Sequence, residues 1–290
     1  MDAGKAVIQW LISQAAQQEI SKIYLETSQA GRYLYQKAGF VPMEDMMQLP
    51  APEKNRQAMQ RKDQRMRNAN ELYQILLASR GKPRWWSEDP FTVMFQAVLV
   101  QNTAWRSVEK TCEAIGDKLT PQTIGAMSLE ELELLIRPCG FCKAKARTIQ
   151  ALVLWFGQYD FSARAVEEIP AFRLRRELLS IRGIGAETAD VILVYAFYKP
   201  SFIIDAYTRR LLSRLGCGFS DDASVRQFFE DTLPKDARIY GWYHWLILEH
   251  CISTCKKVPQ CSGCPLKDSC RHSLSQKQTQ PGSGQRKDLP

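Results

Sequence analysis

The sequence of 290 residues lacks any apolar run long enough to cross a membrane and any N-terminal stretch that resembles a signal peptide. Acidic residues are also in deficit: 31 Asp and Glu stand against 39 Lys and Arg, so the formal net charge is +8. Hydrophobic residues make up 45% of the chain, which is enough for one or two domains with a core. We therefore expect a cytoplasmic protein that suits a polyanionic partner.

Within the C-terminal set of four cysteines only one pair forms a CxxC, whereas a structural zinc site would be expected to use two such knuckles. In a reducing compartment, cysteines indicate metal ligands or free thiols rather than disulfides. Cys139 and Cys142 form a CxxC with no second pair nearby, which indicates packing or accidental spacing. Near the C-terminus four cysteines follow the pattern C-x5-C-x2-C-x5-C, and this compact set predicts ligation of a metal or a cluster.

The stretch 178–205, LLSIRGIGAETADVILVYAFYKPSFIID, predicts a helix, a tight turn, a second helix, a short loop and an aspartate. Gly183 and Gly185 permit positive φ and close backbone approach in the turn. The turn also presents backbone amides at a helix N-terminus, which is an anion site suited to a phosphate. Asp205 precedes the basic amphipathic helix AYTRRLLSRLG, whose dipole stabilises the carboxylate. Taken alone, the glycine turn indicates a simple helical hairpin, and Asp205 indicates an ordinary N-capping aspartate. Only the two features together, at this spacing, form a more specific pattern.

The pattern LxxIxGIGxxTAD followed by FxxDAYTRRLLxRLG resembles the helix-hairpin-helix (HhH-GPD) DNA glycosylases. This superfamily includes endonuclease III, the adenine glycosylases acting at mismatches and the 3-methyladenine glycosylases. The resemblance covers about residues 70–271 and implies a mainly α, two-lobed helical fold whose hairpin grips the DNA backbone beside a base-binding cleft. The implied partner is double-stranded DNA containing a damaged base, bound by a monomer associated with the nucleoid and not with a membrane.

Asp205 matches the essential aspartate of this family, and Glu187 stands where members that also cleave the strand carry a lysine. A lysine amine attacks the sugar C1′ and forms a Schiff base, which a carboxylate cannot do. The resemblance therefore implies hydrolysis of the N-glycosidic bond without lysine-based strand cleavage, in which Asp205 stabilises an oxocarbenium-like sugar. Glu187 is explained equally well as a first-turn acid that the helix dipole stabilises.

Three tryptophans flank a predicted core helix that opens at Pro90. Adjacent indoles are costly to expose, so Trp85 and Trp86 either pack in the helical core or form a stacking pocket. The segment is similar to the third type of 3-methyladenine glycosylase, in which WWP and an aromatic near the Trp105 position sandwich a flipped purine. Ser87 departs from that pattern. Because an alkylated purine is cationic, cation–π attraction would add to the stacking.

Further residues match family positions that contact DNA. The polar residues at the end of the core helix match family residues at the rim of the lesion pocket, although they are explained equally well as residues that cap the helix end. The segment PCGFCKAKARTI resembles a loop in which an apolar residue fills the gap left by the flipped base and lysines meet phosphates. The resemblance implies DNA-binding roles for Gln101, Asn102, Phe141, Lys143, Lys145, Gly183, Gly185, Arg209 and Arg210.

The four-cysteine loop, residues 255–270, resembles that of the iron–sulfur relatives of endonuclease III, whose usual first spacing is six residues rather than five. Structural zinc is the alternative, but it would be expected to use two CxxC knuckles. The resemblance implies a [4Fe–4S] cluster held by Cys255, Cys261, Cys264 and Cys270.

The chain is expected to contain four segments. Residues 1–50 predict a helix, the strand KIYLETS and a short helix, an order that resembles the C-terminal part of a GNAT acetyltransferase without its pyrophosphate-binding turn. Residues 51–68 predict a basic linker or a solvated helix. Residues 69–272 are expected to form the glycosylase domain, and residues 273–290 a tail that is disordered by composition.

These interpretations favour a monofunctional DNA glycosylase of base excision repair that acts on a damaged, alkylated purine. Two alternatives remain open. One is an endonuclease III-like glycosylase and lyase acting on oxidised pyrimidines, and the other is a catalytically silent, structure-specific DNA-binding protein. Product analysis separates the three, because they yield free base with an intact strand, free base with a cut strand, or neither.

Overall fold

The computed structural model describes residues 8–14, 23–26, 32–38, 40–43, 46–49 and 68–279. The chain divides into two compact units, residues 1–64 and 65–290, and each has its own architecture. Within the described part of the chain, no helix is long and apolar enough to span a membrane.

The first unit contains a small antiparallel sheet. Its elements are helix α1 (residues 8–14), strand β1 (Ile23–Glu26), helix α2 (Arg32–Lys37), strand β2 (Val41–Met43) and strand β3 (Met46–Leu49). The strand order is β1-β3-β2, with Ile23 opposite Leu49. Ile8 and Phe40 are buried together in its described core. The strand predicted at residues 22–28 matches β1, while the resemblance to acetyltransferases stays a prediction.

The second unit is helical, and the mainly α prediction is confirmed. Its α-helices are α3 (Ala69–Arg80), α4 (Pro90–Leu99), α5 (Trp105–Ile115), α6 (Pro121–Ala126), α7 (Leu129–Leu135), α8 (Cys142–Gly157), α9 (Ala163–Glu167), α10 (Ala171–Ser180), α11 (Ala186–Val191), α12 (Ala206–Leu215), α13 (Asp222–Glu230), α14 (Ala237–Ser253) and α15 (Arg271–Thr279). Short 3-10 turns cover Gly116–Lys118 and Arg137–Cys139, and a π-helical turn, Ile192–Ala196, continues α11.

Two hydrophobic cores divide this second unit into two lobes. The core of the first lobe gathers side chains from α4 to α11 and from the π-helical turn, with Phe95 and Phe156 among its buried members. The core of the second lobe gathers α3, α12, α13 and α14, and there the ring of Phe202 stacks on Phe229 at 3.7 Å. Burial of such side chains, at about 1.5–3 kcal/mol each, drives this arrangement. Residues 197–205 lead from the first core to the second.

Helix starts follow signals that are present in the sequence. Asp89 caps α4 by accepting a hydrogen bond from Thr92 N at 2.7 Å, and Pro90 occupies the first helical position. Ser128 and Glu131 form a capping box at the start of α7. The predicted start of α4 at Pro90 is therefore confirmed, since local hydrogen bonding alone determines it.

The C-terminal segment differs from the prediction at its start. Residues 273–279, which were expected to be disordered, belong to α15, whereas residues 280–290 lie outside the described part of the chain. Ser273 is buried, and the Arg271 side chain lies beside Gly216 at the end of α12. Composition measures the average polarity of a segment, so it misses a helix that tertiary contacts hold in place.

Candidate active site

Asp205 is the N-cap residue of α12. Its carboxylate accepts a hydrogen bond from Thr208 N at 2.6 Å, which satisfies one of the amides at the helix start. Asp205 is only 3% exposed. Burial acts to raise the pKa of Asp205, but the contact with His244 and the hydrogen bonds with Thr208 outweigh it, so the pKa is lowered from its ordinary value. A charged carboxylate is thus held in a shielded position.

A chain of polar contacts extends from Asp205 towards the first lobe. His244 Nε2, on α14, lies 3.5 Å from Asp205 Oδ2. The other ring nitrogen, Nδ1, lies 3.0 Å from the hydroxyl of Tyr195, and this hydroxyl donates to Gly241 O at 2.6 Å. Tyr195 is buried in the π-helical turn, and burial followed by the charge of Asp205 raises its pKa. π-helical turns within α-helices are frequent at functional sites.

Glu187 occupies the first turn of α11. Although the residue keeps access to solvent, burial by neighbouring atoms and then the charge of Asp205 raise the pKa of Glu187, while His244 and Arg209 lower it. The two carboxyl groups therefore have pKa values shifted in opposite directions, down for Asp205 and up for Glu187. The structure brings the two predicted acids into electrostatic contact.

The three predicted tryptophans form one aromatic group, in which Trp85 and Trp86 contact Tyr195 and Trp105 contacts Trp86. Trp86 meets the edges of Trp105 and Tyr195 at centroid distances of 5.4 and 5.2 Å. The indole N–H of Trp86 donates to Gln96 Oε1 at 2.6 Å, which fixes the ring. Trp85 lies 5.0 Å from Tyr195, and Trp105 is 40% exposed at the start of α5. Trp85 and Trp86 also pack against the first core, so they combine core packing with an aromatic wall.

The turn between α10 and α11 forms a hairpin in which the two glycines differ. Gly183 has a positive φ of 97°, whereas Gly185 has φ −91° and ψ 178°, an extended conformation open to most residues. A Cβ at Gly183 would lie 2.1 Å from Thr148 Oγ1, while a Cβ at Gly185 would meet no described atom within 4 Å. Of the two turn positions, only 183 therefore requires glycine. The positive φ that the sequence allowed at Gly185 does not occur.

Gly183→Ala is expected to lower the free energy of unfolding by at least about 1–3 kcal/mol, because it combines a left-handed backbone with an overlap at Thr148. Gly185→Ala is the matched control and should change this free energy by less than about 1 kcal/mol. Chemical denaturation of the two variants measures both values. Equal losses would contradict the different roles assigned to the two glycines.

Three predicted contact residues lie at turns between helices. Gln101 joins the end of α4 to the hairpin, since Nε2 donates to Gly183 O at 3.1 Å and to Thr188 Oγ1 at 2.9 Å. Asn102 follows it in an exposed, left-handed conformation with φ 51°. Phe141, the N-cap residue of α8, is left-handed with φ 48° and is 71% exposed. An exposed aromatic side chain on such backbone is unusual and indicates a function.

The two predicted lysine contacts have different surroundings. Lys143 is exposed. Lys145 is only 3% exposed. Its ammonium donates hydrogen bonds of 2.7–2.9 Å to three oxygen atoms, which are Leu99 O, Thr103 Oγ1 and Cys139 O. The phosphate contact predicted for Lys145 is wrong, because its three donors are all used inside the fold.

Arg209 and Arg210 both have partners within the protein. Arg209 makes two hydrogen bonds of 3.1 and 2.6 Å to Asp222, and its side chain is still 48% exposed. Arg210 donates to Cys251 O at 3.1 Å and stacks over the ring of Tyr207. Arg209 is exposed whereas Arg210 is half-buried, so Arg209 is the better placed of the two for a phosphate contact.

The four predicted cysteine ligands line a single pocket. Among the residues that the structure describes, no three His, Cys, Asp or Glu side chains are drawn together as around a metal ion. The donor chemistry fits a cluster nonetheless, since four thiols share a pocket with apolar walls. His250 also lines it, and the buried Nδ1 of this ring has no hydrogen-bond partner among the described residues. The predicted ligands Cys255, Cys261, Cys264 and Cys270 all line this pocket, and their assignment as ligands stays a prediction.

The sequence pattern does not identify Tyr195, Tyr198 or His244 as site residues. Tyr195 reads as one more apolar residue of the second hairpin helix, and His244 lies in the apolar segment WYHWLILEH. Tyr198 stacks on Trp85 at 5.2 Å. One sequence signal could have indicated these residues: each carries a polar atom within an otherwise apolar segment. Such an atom needs a hydrogen-bond partner when it is buried.

The chain is similar to known DNA repair proteins over most of its length. Residues 95–235 match the family model described as HhH-GPD superfamily base excision DNA repair protein. The Methanocaldococcus jannaschii protein MJ1434, whose name assigns it to the DNA repair glycosylases, is 38% identical over 209 residues, covering 69% of this chain and 94% of the relative. Endonuclease III of Sulfolobus acidocaldarius is 30% identical over 191 residues, covering 63% and 82%.

Solved structures share the fold. A non-covalent endonuclease III–DNA complex aligns with a TM-score of 0.61 at 27% identity, covering 72% of this chain and 96% of that chain. The Helicobacter pylori 3-methyladenine DNA glycosylase bound to 1,N6-ethenoadenine aligns with a TM-score of 0.55 at 26% identity, covering 63% and 96%. The agreement of sequence, fold and site leads to one conclusion: the chain belongs to the HhH-GPD superfamily of base excision DNA repair proteins and is endonuclease III-like.

Proposed function

We propose that this protein is a monofunctional DNA glycosylase that hydrolyses the N-glycosidic bond of an alkylated purine in double-stranded DNA. One observation carries the proposal: a buried Asp205, whose pKa is lowered by His244 and Thr208, shares a site with Glu187, which stands where lysine-based strand cleavage needs an amine. The aromatic wall formed by Trp85, Trp86 and Trp105 lies beside Tyr195 of the same site. These parts suit stacking of a base and stabilisation of a sugar cation.

In the proposed reaction, the damaged base leaves the DNA stack and lies against the aromatic wall. The bond between the sugar C1′ and the base nitrogen breaks, and its electron pair goes to the base. A cationic alkylated purine leaves as a neutral base, so it needs no prior protonation. The sugar becomes an oxocarbenium-like cation, which the Asp205 carboxylate stabilises. Water oriented by Asp205 then adds to C1′ and releases a proton to solvent.

The aromatic wall favours a cationic base over a neutral one. Its indole faces supply cation–π attraction, about 0.5–2 kcal/mol for a base that is partly desolvated. A neutral oxidised pyrimidine does not gain this attraction.

Several exposed groups are proposed to hold the DNA around this site. The open space at Gly185 suits close approach of a phosphate to the backbone at the start of α11. Phe141 is exposed enough to fill the gap left by a displaced base. Lys143 and Arg209 are exposed cations suited to phosphates. The proposed partner is one damaged duplex bound by one copy of the chain.

An endonuclease III-like activity is the second candidate, because endonuclease III relatives match this chain in both sequence and fold. It would remove oxidised pyrimidines and cleave the strand as a lyase. The mass of the base released from matched duplexes tests the two candidates, one duplex with a single alkylated adenine and one with a single oxidised pyrimidine. We expect release of the alkylated adenine, and faster release of the oxidised pyrimidine would contradict the proposal.

Glu187→Lys is expected to introduce covalent chemistry that the natural chain lacks at this position. A lysine there would place an amine where strand-cleaving relatives use one, so borohydride should trap a protein–DNA adduct. Glu187→Gln is the control, because it removes the charge without adding an amine, and it should not trap. Robust trapping by the wild-type protein that persists in Glu187→Gln would contradict the monofunctional assignment.

We further propose that the cysteine pocket holds a [4Fe–4S] cluster, which when bound would cross-link the loop 255–270. The protein purified in air should be yellow-brown and contain about four iron and four sulfide ions per chain. Cys261→Ser should lose this iron, whereas Cys142→Ser, outside the pocket, should keep it. Stoichiometric zinc without iron would favour the structural zinc alternative.

A further inference from the structure

His244 is a second buried ionisable residue beside Asp205, and the proposed reaction gives it no role. The ring is 8% exposed and has a polar atom of the protein at each nitrogen. Nε2 faces Asp205 Oδ2 at 3.5 Å, and Nδ1 faces the Tyr195 hydroxyl at 3.0 Å. Burying an imidazole in this way costs free energy unless both nitrogens are paired, so packing alone does not account for it.

The hydrogen bonds determine where the protons lie. The hydroxyl of Tyr195 has one proton, and it is donated to Gly241 O at 2.6 Å. The hydroxyl oxygen therefore accepts from Nδ1, so Nδ1 carries a hydrogen. Nε2 lies 3.5 Å from Oδ2 of Asp205, and a carboxylate oxygen accepts, so the geometry of this contact suits a proton on Nε2 as well.

We propose that His244 is a positioning residue that acts through Asp205. As an imidazolium donating from Nε2, it fixes the position of Oδ2, while Thr208 N fixes Oδ1 at 2.6 Å. Tyr195 and Gly241 O hold the ring from the other side. The proposal rests on the proposed function, since it assigns Asp205 the contact with the sugar cation.

The backbone around His244 supports its positioning role. Tyr195 comes from the π-helical turn, where an extra residue changes the direction of the following side chains. A Cβ at Gly241 would lie 3.1 Å from the ring of Tyr195 and 2.7 Å from that of Trp85. Glycine on α14 therefore lets Tyr195 and Trp85 approach the helix closely, which links the aromatic wall to His244.

The protonation of His244 can be measured without any glycosylase assay. The chain contains three histidines, so long-range ¹H–¹⁵N spectra of the full-length, histidine-labelled protein are simple, and His244→Gln identifies the signals. At pH 7.5 we expect both ring nitrogens of His244 to carry protons. In Asp205→Asn, Nε2 should lose its proton because the negative charge is gone. A neutral His244 in the wild-type protein, or an imidazolium unchanged in Asp205→Asn, would overturn the proposal.

Two conservative variants separate positioning from packing. The amide nitrogen of glutamine reaches the position of Nε2, whereas that of asparagine reaches the position of Nδ1. We expect His244→Gln to retain excision within a few-fold, and His244→Asn to lose on the order of tenfold in single-turnover rate. Both should bind the lesion duplex and unfold alike. Equal excision by the two variants would contradict the positioning role of His244 and leave the proposed function intact. A wild-type protein that excises no base would contradict the proposed function itself. In that case the spectra would still decide the protonation of His244.

Discussion

Asp205→Asn is expected to reduce single-turnover base excision on the order of a hundredfold or more, which corresponds to about 2.7 kcal/mol of barrier. Asparagine keeps the size of the side chain and its hydrogen bond from Thr208 N, so the start of α12 should survive. Only the negative charge opposite the sugar cation is lost. The affinity for a duplex containing the lesion should therefore change little, and full excision by the variant would exclude Asp205 as the stabilising group.

Asp221→Asn is the matched control for this change. Asp221 is also an N-cap aspartate, on α13, and it accepts from Ser224 N at 2.7 Å, but it is exposed. Its replacement should leave excision at the wild-type rate. A loss similar to that of Asp205→Asn would show that capping, and not charge in the site, explains the effect.

The lowered pKa of Asp205 also predicts a pH dependence. A carboxyl group whose pKa is lower in the folded protein than in the unfolded chain stabilises the fold above the unfolded value of about 3.9. That contribution disappears as the pH falls through the folded pKa. Excision should likewise show no loss attributable to Asp205 at neutral or mildly acidic pH.

Asp190→Asn is expected to lower the free energy of unfolding by about 3–5 kcal/mol, because it removes the charge from a buried ionic cluster. The Asp190 side chain is 2% exposed, and its oxygens accept from Arg175 Nε at 2.8 Å and from Arg226 Nη2 at 2.7 Å. Ser201 Oγ adds a bond of 2.7 Å. These contacts join α11 of the hairpin to α10 and α13, and the variant removes the buried anion that the two guanidinium groups share, although Arg226 keeps Glu230 at 3.6 Å.

Asp222→Asn provides the comparison for this stability change. The pair of Asp222 and Arg209 is equally short, at 2.6 Å, but the two side chains are 53% and 48% exposed. Solvent screens such a pair, so its loss should cost about 0–1 kcal/mol. Denaturant midpoints of both variants, measured under one condition, give the difference. Similar costs would contradict the structural role assigned to the Asp190 cluster.

Local features of this protein could be predicted from its sequence. The hairpin at Gly183, the N-cap at Asp205 and the start of α4 at Pro90 depend on residues within one or two helical turns. Capping bonds and backbone conformations of this kind are encoded by neighbouring residues. These features therefore need no knowledge of tertiary packing.

Lys145 shows what the motif-based interpretation missed. It lies at helical spacing from Ile149, Leu152 and Phe156, which are all buried on one face of α8. That periodicity places Lys145 on the inner face and Lys143 on the outer one, since two residues correspond to about 200° of rotation. The resemblance to a family loop led to the wrong assignment, whereas the apolar pattern contains the correct one.

Contacts between distant segments could not be predicted. The approach of Tyr195 to His244 joins residues 49 apart, and that of Arg226 to Asp190 joins residues 36 apart. Each depends on how the two lobes and their helices pack, which sequence periodicity does not specify. The polar residues involved are visible in the sequence, but their partners are known only from the fold.

The most direct test of the central claim follows the integrity of one DNA strand. A duplex with a single alkylated adenine and a labelled lesion strand is incubated with the wild-type protein under single-turnover conditions. Half of each sample is then treated with alkali, which cuts at abasic sites. We predict free base and an intact strand before alkali, and a cut strand only after it. A strand cut without alkali, or one that stays intact even after alkali, would contradict the account.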